Sequence, residues 1–209
     1  MHKLGLWLAL VLASIAFAQE ANAWTTTISA GTRSMYLRVG TGSTNGRNFS
    51  NSGTMVNNTL VDTVSVTVPA AQVGNGTAYA MTSDSSQGIS HYEGYAFCNA
   101  PAQVYIGGYF RRPTAGATAT LTATSPSNLV NESGQAIPFS QISWTSSGNG
   151  DGTAAQPIPA GSFAGGAQTL ASFPVNTWRE SCHTFSYAND ELVAAGTYEG
   201  RVTYTLSAP

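Results

Sequence analysis

The sequence predicts an all-β protein: a single antiparallel β-sandwich or barrel over residues 24–209, preceded by a signal-peptide helix. Three observations carry this. Apolar and polar residues alternate with a period of two along most of the chain, the mark of half-buried strands. No window past residue 23 repeats apolar residues at spacings of three and four over ten positions. Turn-forming clusters break the chain into short strand-sized pieces, as in sandwiches and barrels.

Met1 to Ala23 reads as a secretory signal peptide. His2 and Lys3 precede an apolar run from Leu4 to Phe17, and two small-x-small sites follow, Ala16-Phe17-Ala18 and Ala21-Asn22-Ala23. Cleavage is expected after Ala23, with Ala18 as the alternative. The run falls short of the roughly 20 residues of a membrane span, and no later stretch is long and apolar enough, so no span is expected after cleavage.

Leu60 to Val68 puts Val64, Val66 and Val68 on one face against Thr63, Ser65 and Thr67. Ala117 to Thr124 sets Ala117, Ala119, Leu121 and Ala123 against four threonines, and Thr197 to Leu206 sets Tyr198, Val202, Tyr204 and Leu206 against Thr203 and Thr205. Threonine, valine and tyrosine suit a pleated surface. Weaker strands are expected at Thr25 to Ala30, Met35 to Val39, Thr77 to Thr82, His91 to Cys98, Gln103 to Phe110, Ile137 to Ser146, Trp178 to Tyr187 and Gln168 to Phe173. Gly74-Asn75-Gly76, Arg112-Pro113, Ser125-Pro126-Ser127, Asn131 to Gly134 and Gly148 to Gly152 supply the turns. Gly40 to Asn58, rich in Gly, Ser, Thr and Asn, reads as a long loop inside one domain.

Only 9% of residues are charged, against roughly 25% in an ordinary domain. With a net charge of -2 there is no basic face for nucleic acid and no polybasic membrane patch. Lys3 is the only lysine, and it lies in the expected signal segment. Cys98 and Cys182 are the only cysteines. In an exported chain such a pair is most simply a disulfide, and neither C-x-x-C nor a zinc-spaced Cys/His cluster is present.

Chemistry-bearing motifs are sparse, and neither a catalytic site, a cofactor site nor a metal site is expected. There is no G-x-S-x-G elbow. His91-Tyr92-Glu93 matches half of a zinc-deaminase pattern without the P-C-x-x-C half, so His91 and Glu93 read as a polar, exposed strand face. With Cys182 pointing inward to a bridge, His183 should point outward to solvent; Glu180 shares the Cys182 face, where a strand end would leave it solvated. Ser147 to Gly152 resembles a calcium loop but carries only Asp151, too few carboxylates, and reads as a turn. Asp190 and Glu191 read as turn residues before the last strand. Tyr92, Tyr95, Phe97, Tyr105, Tyr109 and Phe110 crowd one stretch, and core packing is expected of them ahead of an exposed binding face; Trp144 and Trp178 read as core or sheet-edge anchors.

The last third of the chain carries a family resemblance. Ile137-Pro138-Phe139 with Ile142-Ser143-Trp144, then Phe185-Ser186-Tyr187, then A-A-G-T-Y-E-G-R-V-T-Y-T-L-S-A-P from Ala194 to Pro209 resemble secreted β-sandwich proteins of the spore coat protein U type, which include subunits of archaic chaperone–usher pili. The resemblance runs roughly from Ala117 to Pro209. It implies a single Ig-like antiparallel β-sandwich lacking one strand, whose apolar groove is held first by a periplasmic chaperone and then, at an usher, by the N-terminal extension of a neighbouring subunit. The donor here would be the segment from Trp24, with Trp24, Thr26, Ile28 and Ala30 on one face; Met35, Leu37 and Val39 form a greasier stripe further in. Both segments can equally be ordinary strands of a self-complete sandwich. The leading expectation is thus a secreted, non-enzymatic pilus- or coat-type subunit, in the periplasm in transit and then at the cell surface. A free-standing adhesion module with an aromatic glycan- or protein-binding face is the second, and a secreted hydrolase the third.

Overall fold

The computed structural model describes residues 24–45 and 47–209; the expected signal peptide and its helix lie outside the described residues. Eight principal strands carry the architecture: β1 (Thr25–Thr27), β2 (Ser34–Val39), β3 (Val104–Arg111), β4 (Thr118–Ser125), β5 (Ile142–Ser147), β6 (Gly166–Pro174), β7 (Thr177–Tyr187) and β8 (Thr203–Ser207). The only helical pieces among the described residues are single 3-10 turns at Phe49–Asn51, Ala70–Gln72 and Phe139–Gln141. The molecule is an antiparallel β-sandwich.

The eleven residues of β7 organise the larger sheet. Thr177 to Ser181 pair with β3, and Cys182 to Tyr187 pair with β5. A strand has two edges, so the partners sharing a β7 residue lie on opposite sides of it. β1 pairs with Thr177 to Arg179 opposite β3, and the short strand Tyr79–Ala80 pairs with Ser186 and Tyr187 opposite β5. β2 closes one side through β3, and Gly161–Ser162 the other through β5. The smaller sheet has β4 between β6 and β8.

The two sheets bury one apolar layer. β4 sends Ala119, Leu121 and Ala123 into it, the alternation expected against its threonines. Phe173 from β6, Ile106 and Phe110 from β3, and Phe185 and Tyr187 from β7 meet them there. Each fully buried large side chain of this set contributes about 1.5–3 kcal/mol of transfer free energy.

The larger sheet is also covered on its outer face. β3 reads Val-Tyr-Ile-Gly-Gly-Tyr-Phe-Arg, and its first seven residues are buried. Val104, Ile106 and Phe110 face the inter-sheet core. Tyr105 packs outward with Phe97, Cys98 and Cys182, and Tyr109 with Ile28 and Trp178. The cover is the loop from Asp84 to Cys98, together with the Phe49–Asn51 turn, and the Cys98–Cys182 disulfide (Cα–Cα 5.5 Å) fastens it to β7. Glycine is needed where this layer crowds β3: a Cβ on Gly108 would lie 2.1 Å from the Tyr36 carbonyl oxygen, and one on Gly107 2.3 Å from Tyr105 Oη.

Several expectations are corrected. His91 to Cys98 is not a strand. Ser90 Oγ accepts from the Tyr92 and Glu93 amides (3.1 and 3.2 Å), Gly94 takes φ +83°, and the stretch turns back on itself with a single bridge between Ile89 and Ala96. Leu60 to Val68 alternates between half-buried and exposed as expected, yet only Val64–Ser65 is paired, to Thr82–Ser83. The last strand begins at Thr203 rather than Thr197, and Gly200 upstream is packed under the Phe139 ring. His91, His183 and Glu180 are not solvent-facing. They are 3%, 0% and 0% exposed: the outer layer covers His91 and Glu180, and His183 points to the opposite face of β7, into the inter-sheet core against Trp144 and Phe185.

Candidate functional site

The outer edge of β8 is open. On one side β8 is laddered to β4, Thr203 to Thr124 through Ser207 to Thr120; no strand pairs with its other side among the described residues. Thr203, Thr205 and Ser207 are exposed, while Tyr204 and Leu206 are half-buried against the core. A strand with one free side presents unpaired N–H and C=O groups at alternate residues.

Two further elements leave apolar side chains half-covered over the same core. β2 ends its own sheet and comes close to β8 without pairing; its Leu37 and Val39 reach the core from that side. One end is tied by Arg33, whose Nη2 donates to the Pro209 carbonyl at 2.6 Å. The extended run 61–68 contributes Val64, Val66 and Val68, all half-buried. Among the described residues 66–68 make no backbone hydrogen bond. Leu60 and Val61 just before them are 66% and 63% exposed.

Chemically, these elements offer a hydrogen-bonding edge plus apolar side chains at alternate positions. That combination suits the addition of an extended strand.

The expected donor segment is placed elsewhere. Trp24, Thr26, Ile28 and Ala30 belong to a stretch whose β1 portion pairs with β7 of its own chain. Ile28 is buried beside Tyr109 and Trp178, its amide donates to the Asn176 carbonyl (2.9 Å), and Trp24 packs on Tyr92 and Tyr95.

A second constellation was not singled out from the sequence: a polar network under the outer layer. Glu180 Oε1 accepts from Ser90 Oγ at 2.7 Å, and Oε2 accepts from Tyr105 Oη at 2.6 Å and Trp178 Nε1 at 2.9 Å. Burial pushes its carboxyl upward from the ordinary range, and these three donors pull the other way. Beside it His91 stacks on Tyr105 (ring centroids 5.2 Å), and its Nδ1 meets Tyr36 Oη at 3.0 Å. Burial and then the Arg38 guanidinium hold the His91 ring down at about 4. Ser90 spends its proton on Glu180 and Tyr36 bridges Arg38 to His91, so the network fastens the outer layer. The signal available was parity: Trp178, Glu180 and Cys182 share one face of β7, and that face is covered.

His183 stands apart, stacked on Trp144 (5.6 Å, 17°) with Nε2 3.2 Å from the Ile158 carbonyl. Cys98 and Cys182 are joined. Asp151 lies in a turn, where it accepts from Gln156 Nε2 at 3.1 Å, and no group of three His, Cys, Asp or Glu with metal-binding geometry occurs among the described residues. Of the aromatic run, Tyr105 and Phe110 are fully buried, and Phe97 and Tyr109 nearly so. Compared with known proteins, the chain matches no family model, no curated protein and no solved structure.

Proposed function

We propose that this chain is an exported, non-enzymatic structural subunit of the pilus or coat type, completed by a strand donated from another chain. The observation that carries the reading is the open edge of β8, with Tyr204, Leu206, Val64, Val66 and Val68 left half-buried over the core that its sheet covers. A free sheet edge next to apolar side chains is a liability for an isolated protein and a docking register for an assembling one. The Cys98–Cys182 disulfide suits an oxidising compartment on the way to the cell surface. A periplasmic chaperone and an usher are the partners such a route calls for. The donor is an extended segment of a neighbouring subunit with apolar residues at alternate positions. In a polymer the Trp24 to Ala30 stretch can serve only after leaving β7, because the monomer lodges it there.

The experiment is the association state of the purified secreted chain by size-exclusion chromatography with light scattering. Concentration-dependent oligomers are expected, and Val66→Asp or Leu206→Asp should abolish them while leaving the far-ultraviolet β signature intact. A chain that stays monomeric at every concentration, or oligomers indifferent to both substitutions, would overturn the reading.

A further inference from the structure

The outer layer of the larger sheet is bonded to itself rather than to the strands beneath it. The Ser90 amide donates to the Tyr95 carbonyl, Gly94 to Ser90 and Phe97 to Gly88, each at 2.8–2.9 Å. The Phe49 and Ser50 amides donate to His91 and Tyr92 at 3.0 and 2.9 Å, which joins the Phe49–Asn51 turn to the same unit. Among the described residues no backbone hydrogen bond runs from 85–98 to β3 or β7. Side chains fasten the layer instead: Ser90 Oγ on Glu180 Oε1 (2.7 Å), His91 Nδ1 against Tyr36 Oη (3.0 Å), and the Tyr92 ring on Trp178 (5.6 Å). Closing the layer also takes the Glu180 carboxyl fully out of water, which costs free energy. The one covalent fastening is Cys98–Cys182.

β1 leans on this layer. Its ladder to β7 has only the rungs Thr25 to Thr27, and the Ile28 amide adds one bond to the Asn176 carbonyl at 2.9 Å. Thr25 and Thr27 are exposed, so the apolar anchors of the segment are Trp24 and Ile28. Trp24 packs on Tyr92 (6.2 Å) and Tyr95 (5.4 Å), both from the layer. Ile28 shares its cluster with Tyr109 and Trp178 of the sheet and with Phe49 and Tyr92 of the layer. With the layer open, Trp24 loses both ring partners and Ile28 loses part of its cover. The contacts form one continuous chain. Cys98 ties the 88–98 turn to β7, that turn holds the Phe49–Asn51 turn through its His91 and Tyr92 carbonyls, and its tyrosine rings hold Trp24.

We propose that the outer layer is a latch that retains residues 24–30 on their own chain, and that the Cys98–Cys182 bond is its bolt. Before the bond forms, or after a dithiol reduces it to two thiols and is itself oxidised to a disulfide, the layer and β1 open together more readily, over sheets that stay folded. Oxidation therefore commits the segment to its own β7. The latch belongs to the single chain and stands whether or not the chain polymerises; on the strand-donation reading it also sets when the segment is free to leave.

The test is native-state amide hydrogen exchange by NMR on the purified monomer of residues 24–209, at a series of low urea concentrations, for the wild type and the Cys98→Ser/Cys182→Ser variant. The Ile28, Ser50 and Phe97 amides should merge into one shared opening, distinct from and easier than the opening that exposes the β4 amides. In the variant that shared opening should be roughly thirtyfold more populated, the low end of what a disulfide contributes. Tyr92→Ala, with the bond intact, should speed exchange at Ile28 up to about tenfold, the scale of a lost aromatic pair, and serves as the test if the serine variant does not fold. Ile28 exchanging on its own ahead of Phe97, Ile28 exchanging only together with β4, a shared opening unchanged by loss of the bond, or an Ile28 rate unchanged by Tyr92→Ala would each overturn the latch. All these rates are read on monomer, so they can fail while the association test above succeeds, and the reverse.

Discussion

Replacing His183 by leucine should remove a large part of the chain's sensitivity to acid. The ring is fully buried in the middle of β7, flat against Trp144, and Nε2 donates to the Ile158 carbonyl. Its Nδ1 is buried without a partner, so a second proton would arrive where nothing can accept from it. Burial accordingly holds the ring down at about 4, against 6.5 when free, with the Ile158 carbonyl opposing only in part. The sign follows from which state takes the proton first. The unfolded chain protonates near 6.5 and the folded one near 4, so the contribution is complete above 6.5 and is lost as the pH falls toward 4. That interval corresponds to about 3 kcal/mol. Leucine fills similar space, and Ser146 Oγ (2.6 Å) still serves the Ile158 carbonyl. The assay is urea unfolding followed by tryptophan fluorescence at pH 7 and pH 4. The wild type should lose about 3 kcal/mol more than His183→Leu between the two pH values. Because His91 titrates in the same direction in both proteins, the difference isolates His183. Equal losses would refute the buried-imidazole reasoning.

Glu180 should act with the opposite sign: its folded value is raised, so its contribution is full below the ordinary carboxylate range and shrinks as the pH rises through that folded value. Glu180→Gln should therefore gain stability relative to wild type as the pH increases, measured by the same urea curves from pH 4 to 8; a constant offset would count against it. Changing Cys98 and Cys182 together to serine should cost about 2–4 kcal/mol in thermal or urea unfolding, and reducing agent should no longer affect the variant. Peptide mapping without reductant checks the 98–182 link directly.

Much of the sandwich is legible in the alternation of small apolar residues and threonines. In β4 and β8 one face meets the core and the other meets water, so a period of two reports burial faithfully. It fails where both faces are covered. β3 is buried on both sides, and β7 carries His183 toward Trp144 and Glu180 toward Tyr105, so "opposite to Cys182" did not mean outward. The covering loop was itself misread: His91 to Cys98 has strand-like residues, but Ser90 hydrogen-bonds the next amides and Gly94 supplies a positive φ. The segment from Leu60 to Val68 shows the reverse case. Its pattern is that of a strand, and the chain is extended there, but it has little to pair with. Local pattern sets which side chains are half-buried; only the assembled sheets decide which edges go unfilled.

The most direct measurement of that central point is amide hydrogen exchange on the purified monomer of residues 24–209, followed residue by residue by NMR. Alternate amides of Thr203 to Ser207 and the amides of 66–68 should exchange quickly in the monomer, against slow exchange in β4 and β7, and should become protected once oligomers form. Strong protection at those amides in the isolated monomer would mean that the edge is already occupied, and it would contradict the account.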